Sequence, residues 1–350
     1  MNNEQQMIQY LLHCSNSMER RFVYSKDAEF SESKKANYLT PAQKYKQNAL
    51  GSFGTVSDAY ILYVIAVMEF ATEDTILKIL QAYSRDNKFL EIPANERIGS
   101  GTKGISFRIH KLCSEFAMCF MRQYKIQKED RVETVTLWGC DQTTTSFVNR
   151  RMSKNVSGRD GTIYDNINSM ISKAAASYAA AEVAERSGCR FRAMMENGLR
   201  TSELGTRLLP PILFLDDRDS EEEYEVLFYP AFLNMVDRYQ TKTDYKQYLK
   251  RKCDEIRNFL YAVTSPKHRK KKEGFVVVVC ESQSDMEAFA RLCEQIPYTV
   301  DCGNIERIYL TSEGILRSVP SLQDAFLKMD KNQEGEITFK KETPPFIKVR

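Results

Sequence analysis

Two clusters of cations carry the chemistry most open to this chain: Lys103, Arg108 and Lys111, and further along Arg150, Arg151 and Lys154. Ammonium and guanidinium groups at such spacing suit the phosphates of a nucleic-acid backbone, which they neutralise with release of counterions. Gln142 and Thr143 lie between the clusters and add hydrogen-bonding groups that reach phosphate or base edges. A third basic run, Lys267 to Lys272, includes Lys270 and Lys271 and would lengthen a DNA footprint. The carboxylates able to do different work are Glu203, Asp216, Asp217 and Glu225, the set a divalent-metal nuclease or nicking enzyme would need. His13, His110 and His268 are too scattered to nominate a triad or a metal pair.

The elements that must hold these cations follow from hydrophobic period. Ile61 to Phe70 and Thr75 to Ala82 read as helices, the second capped at Thr72-Glu73-Asp74. Ile105, Ile109, Leu112, Phe116 and Phe120 recur at helical steps, so a third helix starts near Thr102. Val132 to Trp138 is β-branched and aromatic, and a polar tip at Asp141 to Thr145 precedes Phe147-Val148, which predicts a hairpin. Helix, helix, helix, hairpin is the order of a winged helix. In that fold Lys103, Arg108 and Lys111 would enter the groove, Gln142 and Thr143 would sit on the wing, and Arg150, Arg151 and Lys154 would hold phosphates. Trp138 reads as core.

Length and composition bound the alternatives. With 350 residues the chain exceeds one usual compact unit, and 42% hydrophobic with 28% charged residues is a globular composition. Fifty basic residues against 47 acidic leave a net charge of only +3, so any basic surface must be local. The expected setting is cytoplasmic, without signal peptide or membrane span. Nine cysteines lack any Cys-x-x-Cys pair, which favours buried thiols over zinc or disulfides.

The remaining stretches divide the chain into an N-terminal helix and polar arm (1–54), the winged helix (55–152), a linker with an alanine-rich helix (153–189), an α/β domain (190–328) and a C-terminal tail (329–350). The alanines from Ala174 to Ala181 permit close packing, inside the second domain, as a spine joining the two halves, or against a second copy in a homodimer. Gly99 to Gly104 lacks the ending of a P-loop and is read as a turn. In the α/β domain FRAMMENG reads as helix, while ILFL and YEVLFYPAF read as a hairpin. Lys242 to Leu260 reads as a charged helix, and FVVVVC, Asp285 to Ile296 and Ile305 to Leu310 form a parallel strand–helix–strand unit. The stretch from Asp330 imitates a calcium loop, but Lys341 stands where its bidentate Glu is required, so it reads as a turn and short strand leading into a frayed tail.

In the order of these elements, and in RIHKLCSEFAMCFMRQYKI, ILFL, YEVLFYPAF, DYKQYLKRK and FVVVV, the chain from about 55 to 328 resembles the replication-relaxation family of plasmid proteins. The resemblance implies a winged helix joined to a restriction-endonuclease-like core, in which an Asp opening one strand and a Glu on the next would bind a divalent metal. Here Pro210 and Pro211 open the first strand, and Tyr229-Pro230-Ala231 ends the second. The expectation is therefore an α+β, α/β protein with a degenerate nuclease-like domain, with no catalytic residues, metal or cofactor. It would bind double-stranded DNA, in company with replication or transfer proteins of a plasmid or other mobile element. The competing expectations are an active nuclease and an interaction scaffold that never meets DNA.

Overall fold

The computed structural model of the chain describes residues 3–16, 58–86, 104–114, 118–128, 131–152, 154, 156, 167–196, 199–200, 207–208, 211–231, 247, 254, 272–295, 305–332 and 334–348. It is a mixed α and β protein that divides into two compact units. The helical unit holds Arg20–Glu185 with Phe191–Asn197, and the α/β unit holds Met1–Glu19, Arg186–Arg190 and Gly198–Arg350.

Helix α1 (Asn3–Asn16) belongs to the α/β unit. In the helical unit follow α2 (Asp58–Met68), α3 (Glu73–Asp86), α4 (Ile105–Ser114), strands β1 (Phe120–Lys128) and β2 (Arg131–Gly139), α5 (Gln142–Met152) and α6 (Ile167–Arg186). α2 is DAYILYVIAVM, apolar nearly all round, and every residue but Tyr60 is buried, which makes it the central post of this unit. α3 is amphipathic and starts where expected, with the Thr75 N–H donating to the Thr72 hydroxyl. Between α2 and α3 the chain turns at Glu69, whose φ of 63° is the left-handed conformation that ends many helices. The next residues then form a single antiparallel bridge, Ala71 to Trp138 of β2, through N–H to O bonds of 3.1 and 2.9 Å.

Three expectations need correction in this unit. The third helix stops at Ser114, and Phe120 opens β1 instead of closing the helix; its ring lies over Gly139, where a Cβ would come within 2.4 Å of Phe120 Cζ. The helical spacing continued by accident because a half-buried strand position fell on the same period. The polar stretch after Gly139 is no hairpin tip. Asp141 caps α5, its carboxylate accepting from the Thr144 N–H at 2.7 Å, so Gln142 and Thr143 lie in the first turn of a helix. The hairpin is the preceding pair, in register from Phe120 opposite Gly139 to Lys128 opposite Arg131. Finally, the alanine-rich helix α6 packs within the helical unit and not inside the second domain. Its alanines are buried, the Ser177 hydroxyl donates to Met68 O at 3.2 Å, Lys173 pairs with Glu69, and Glu182 meets Lys78 at 2.5 Å. Small side chains let this helix pack closely among its neighbours.

Next comes β3 (Arg190–Met194), all but its first residue in the helical unit, and the α/β unit continues with β4 (Leu199–Arg200), β5 (Arg207–Leu208), β6 (Ile212–Asp216), β7 (Glu223–Pro230), β8 (Lys272–Cys280), α7 (Gln283–Gln295), β9 (Ile308–Ser312), α8 (Glu313–Ser318), β10 (Leu327–Lys331) and β11 (Ile337–Lys341). Within this unit the sheet order is β11-β10-β9-β8-β7-β6. The β6–β7 hairpin and the parallel β8–α7–β9 crossover are as expected, and the valines of β8 are buried as the central strand requires. FRAMM is strand β3, not helix. The charged helix read over Lys242 to Leu260 lies outside the described residues, save Gln247 and Asp254, which are helical.

The tail is not frayed. β10 and β11 extend the sheet, and Phe346 is fully buried against Phe275, Tyr309 and Phe326. Lys348 donates its backbone N–H to Ser187 O at 2.7 Å, a close approach that also crowds Gly188, whose φ is +80°. α1 docks on α7, α8 and β11 of the same unit. Among the described residues no helix is long and apolar enough to cross a membrane.

The C-terminal lock carries a pH dependence. The Lys348 ammonium lies 2.8 Å from Asp217 and 3.0 Å from the Tyr224 hydroxyl, which donates to Glu222 at 2.6 Å. The bond from Lys348, aided by the Asp219 N–H, holds the Asp217 carboxyl down to about 2. A depressed carboxyl stabilises the fold fully above its ordinary value, about 4, and the contribution disappears as pH falls toward 2. Lys348→Met is therefore expected to lower the urea midpoint of the protein at neutral pH, with the gap from wild type closing between about pH 4 and 2. A gap that stays constant down to pH 2 would refute the assignment.

Candidate nucleic-acid interface

The stretch running through α4 and β1 departs in composition from the rest of the chain, while beyond it Glu129-Asp130 and Glu133 of β2 are acidic. From Ile105 to Lys128 the sequence has Arg108, Lys111, Arg122, Lys125 and Lys128 against the single acid Glu115, whereas the whole chain is nearly balanced. The local excess is what phosphate contact demands and what the total concealed.

α4 begins at Gly104, whose carbonyl accepts the Arg108 N–H at 3.1 Å. Ile105, Ile109, Leu112 and Cys113 are buried and fix the roll of the helix. That roll leaves Phe107, His110 and Ser114 on the solvent side, with Ser106, Arg108 and Lys111 half-buried. Phe107 is 45% exposed, one of two large hydrophobic side chains so exposed among the described residues. His110 stands edge-on to Trp138, ring centroids 4.9 Å apart, with its Nε2 3.3 Å from Glu73. Since Trp138 also bonds Ala71 through its backbone, one buried residue ties α4, the hairpin and the α2–α3 turn together.

On the hairpin, Gln123 and Thr134 are exposed, and Gln123 donates to the Thr136 hydroxyl at 3.4 Å. Arg122 leans over the Phe120 ring with its guanidinium carbon 5.4 Å from the centroid. The last rung sets Lys128 opposite Arg131, so two cationic residues frame the true tip.

Of the residues proposed from sequence, the structure gathers few on this surface. Lys111 is on α4, half-buried and engaged with neighbouring groups. Arg108 points inward: its guanidinium forks onto Asp58, Nε to Oδ1 at 2.8 Å, and holds the start of α2 to α4. The sequence signal for this was the aspartate at the head of the preceding apolar helix. Gln142, Thr143 and Arg150 are exposed on α5 rather than on a wing, Arg150 Nε donating to Ser146 O at 3.3 Å, and Arg151 is in the same helix. Lys154 lies 2.9 Å from Glu196 and over the Tyr63 ring at 5.3 Å. Lys103, Lys270 and Lys271 lie outside the described residues. Sequence reasoning missed Phe107 and His110, whose signal was their position opposite the apolar stripe of α4.

The other titratable groups near α4 do structural work. Hydrogen bonding to Cys113, which favours the protonated thiol, together with burial pushes Cys119 well up, and burial with the nearby Asp141 carboxylate does the same to Cys140, so both stay protonated. Tyr63 donates to Glu196 at 3.0 Å, and burial raises Tyr83, whose oxygen accepts the Met194 N–H at 3.3 Å, to about 12.

In the α/β unit the carboxylates of the nuclease reading fall into different settings. Register sets Asp216 opposite Glu223 and Phe214 opposite Glu225, which puts Asp216 and Glu225 on one face of the hairpin. Asp217 is instead bound to Lys348, and Glu203 lies outside the described residues. Among the described residues no three His, Cys, Asp or Glu side chains are grouped to share a metal ion.

No family model, no curated protein and no solved structure matches the chain.

Proposed function

We propose that this chain is a DNA-binding protein of a plasmid or other mobile element that supports replication or transfer without catalysis of its own. The helical unit is read as a winged helix in which α4 enters the major groove and the β1–β2 hairpin rides on the backbone. The α/β unit is read as a scaffold or docking surface with a nuclease-like ancestry.

The observation that carries this reading is the bridge between Ala71 and Trp138. It turns three helices and a hairpin into the order helix, short strand, helix, helix, hairpin, with the short strand joined to the second strand of the wing. The excess of cations over Ile105 to Lys128 supports it independently. The mobile-element setting rests on the resemblance of element order and sequence texture to the replication-relaxation family, and the cytoplasmic setting on the buried thiols, since none of the seven described cysteines is in a disulfide.

Binding of the purified protein to labelled duplex DNA across a salt series, with and without magnesium, tests the reading. Affinity should fall linearly on logarithmic axes with a slope of about −0.9 per neutralised phosphate, and the DNA should remain intact. Metal-dependent cleavage would instead establish the nuclease, and no binding at low salt would leave the scaffold.

A further inference from the structure

The solvent face of α4 is unlike that of a guanine reader. Guanine in the major groove is recognised through its O6 and N7 acceptors by a two-pronged cation, most often arginine. α4 has one arginine, and Arg108 is committed to Asp58 with both its Nε and a terminal nitrogen. What the helix presents where a recognition helix meets base edges, its N-terminal half, is Phe107, with Ser106 half-buried beside it and His110 one turn on. Phe107 keeps 45% of its surface in water although Ile105, Ile109 and Leu112 are fully buried on the other side of the same helix. That exposed aromatic ring lies in a segment, Ile105 to Lys128, with five cations and one acid.

We propose that Phe107 is a specificity-determining residue that reads thymine through its 5-methyl group in the major groove, making A·T-containing duplexes the preferred ligand of α4. The methyl is the one apolar feature on a base-pair edge in that groove, and an exposed phenyl ring buries it at no polar cost. This inference rests on the DNA-binding reading and names its ligand class.

Deoxyuridine supplies the test, because it removes the methyl and leaves pairing and phosphates alone. Affinities of the full chain would be measured by fluorescence anisotropy for two duplexes of the same length, one alternating dA and dT, the other alternating dA and dU. Wild type should bind the thymine duplex tighter by about fourfold for each methyl contacted. Phe107→Ala should bind both duplexes equally, at the weaker affinity, and Phe107→Leu should keep part of the preference. The exposed position makes all three proteins foldable, which thermal unfolding checks. Equal wild-type affinity for the two duplexes, with salt-sensitive binding intact, overturns the thymine assignment and leaves the DNA-binding reading standing. Failure to bind either duplex at low salt sinks both.

Discussion

Trp138→Ala should cost the helical unit about 3–5 kcal/mol, the usual range for deleting a large buried aromatic side chain. Trp138 is fully buried, its backbone makes both bonds of the bridge to Ala71, and its ring meets the edge of His110. The cavity would open at the one place where α4, the hairpin and the α2–α3 turn converge, so the loss of stability and the loss of the α4 surface should come together. Trp138→Phe fills most of the volume and should cost less than half as much. Urea denaturation followed by circular dichroism reads the difference. If the alanine variant unfolds within about 1 kcal/mol of wild type, Trp138 does not tie these elements together.

The second large effect concerns charge inside the helical unit. Lys78 on α3 lies 2.5 Å from Glu182 on α6 and 3.0 Å from Asp74, and stands over the Tyr178 ring at 4.7 Å. The Glu182 side chain is only 3% exposed. Lys78→Met takes away the ammonium closest to that buried carboxylate and should destabilise by about 3 kcal/mol, because a buried charge stripped of its counter-ion keeps its desolvation cost. Lys78→Met with Glu182→Leu should recover most of the loss, since an apolar pair of similar volume needs no charge compensation. The chain has one tryptophan, Trp138, so its fluorescence during denaturation reports this unit. Additive effects of the two substitutions would show that the pair is not coupled. The Lys173–Glu69 pair, at the left-handed turn that ends α2, attaches α6 to α2 as the Lys78–Glu182 pair attaches it to α3.

What could be read from residues alone was whatever depended on one segment at a time. The apolar strand β8, the amphipathic α7 and the order of β6, β7, β8 and β9 follow from period and run length, which local sterics and burial impose on each stretch separately. The three helices and the cap at Thr72 were legible for the same reason. Boundaries failed where two periods overlapped. Phe120 continues the spacing of α4 while belonging to a strand, and Asp141 begins a polar run that serves equally as a turn or as a helix cap. FRAMM was misread because five residues alternate too briefly to distinguish a short strand from a helical turn.

The placement of charge was beyond the sequence. Arg108 and Lys154 look like open cations in the chain, yet Asp58 lies 50 residues before Arg108 and Glu196 lies well after Lys154, and only folding brings each acid to its base. The tertiary contacts turn Arg108 inward onto Asp58, and they engage Lys154 with Glu196 although it stays exposed. The same packing exposes Phe107, a residue that composition would assign to the core, because the roll of α4 is set by Ile105, Ile109 and Leu112. The sequence by itself determined which segments are helix or strand and that a basic stretch lies in the first half of the chain. Which of its side chains face a ligand was decided by the tertiary structure, since that depends on how each helix is rolled and on which distant carboxylates it meets.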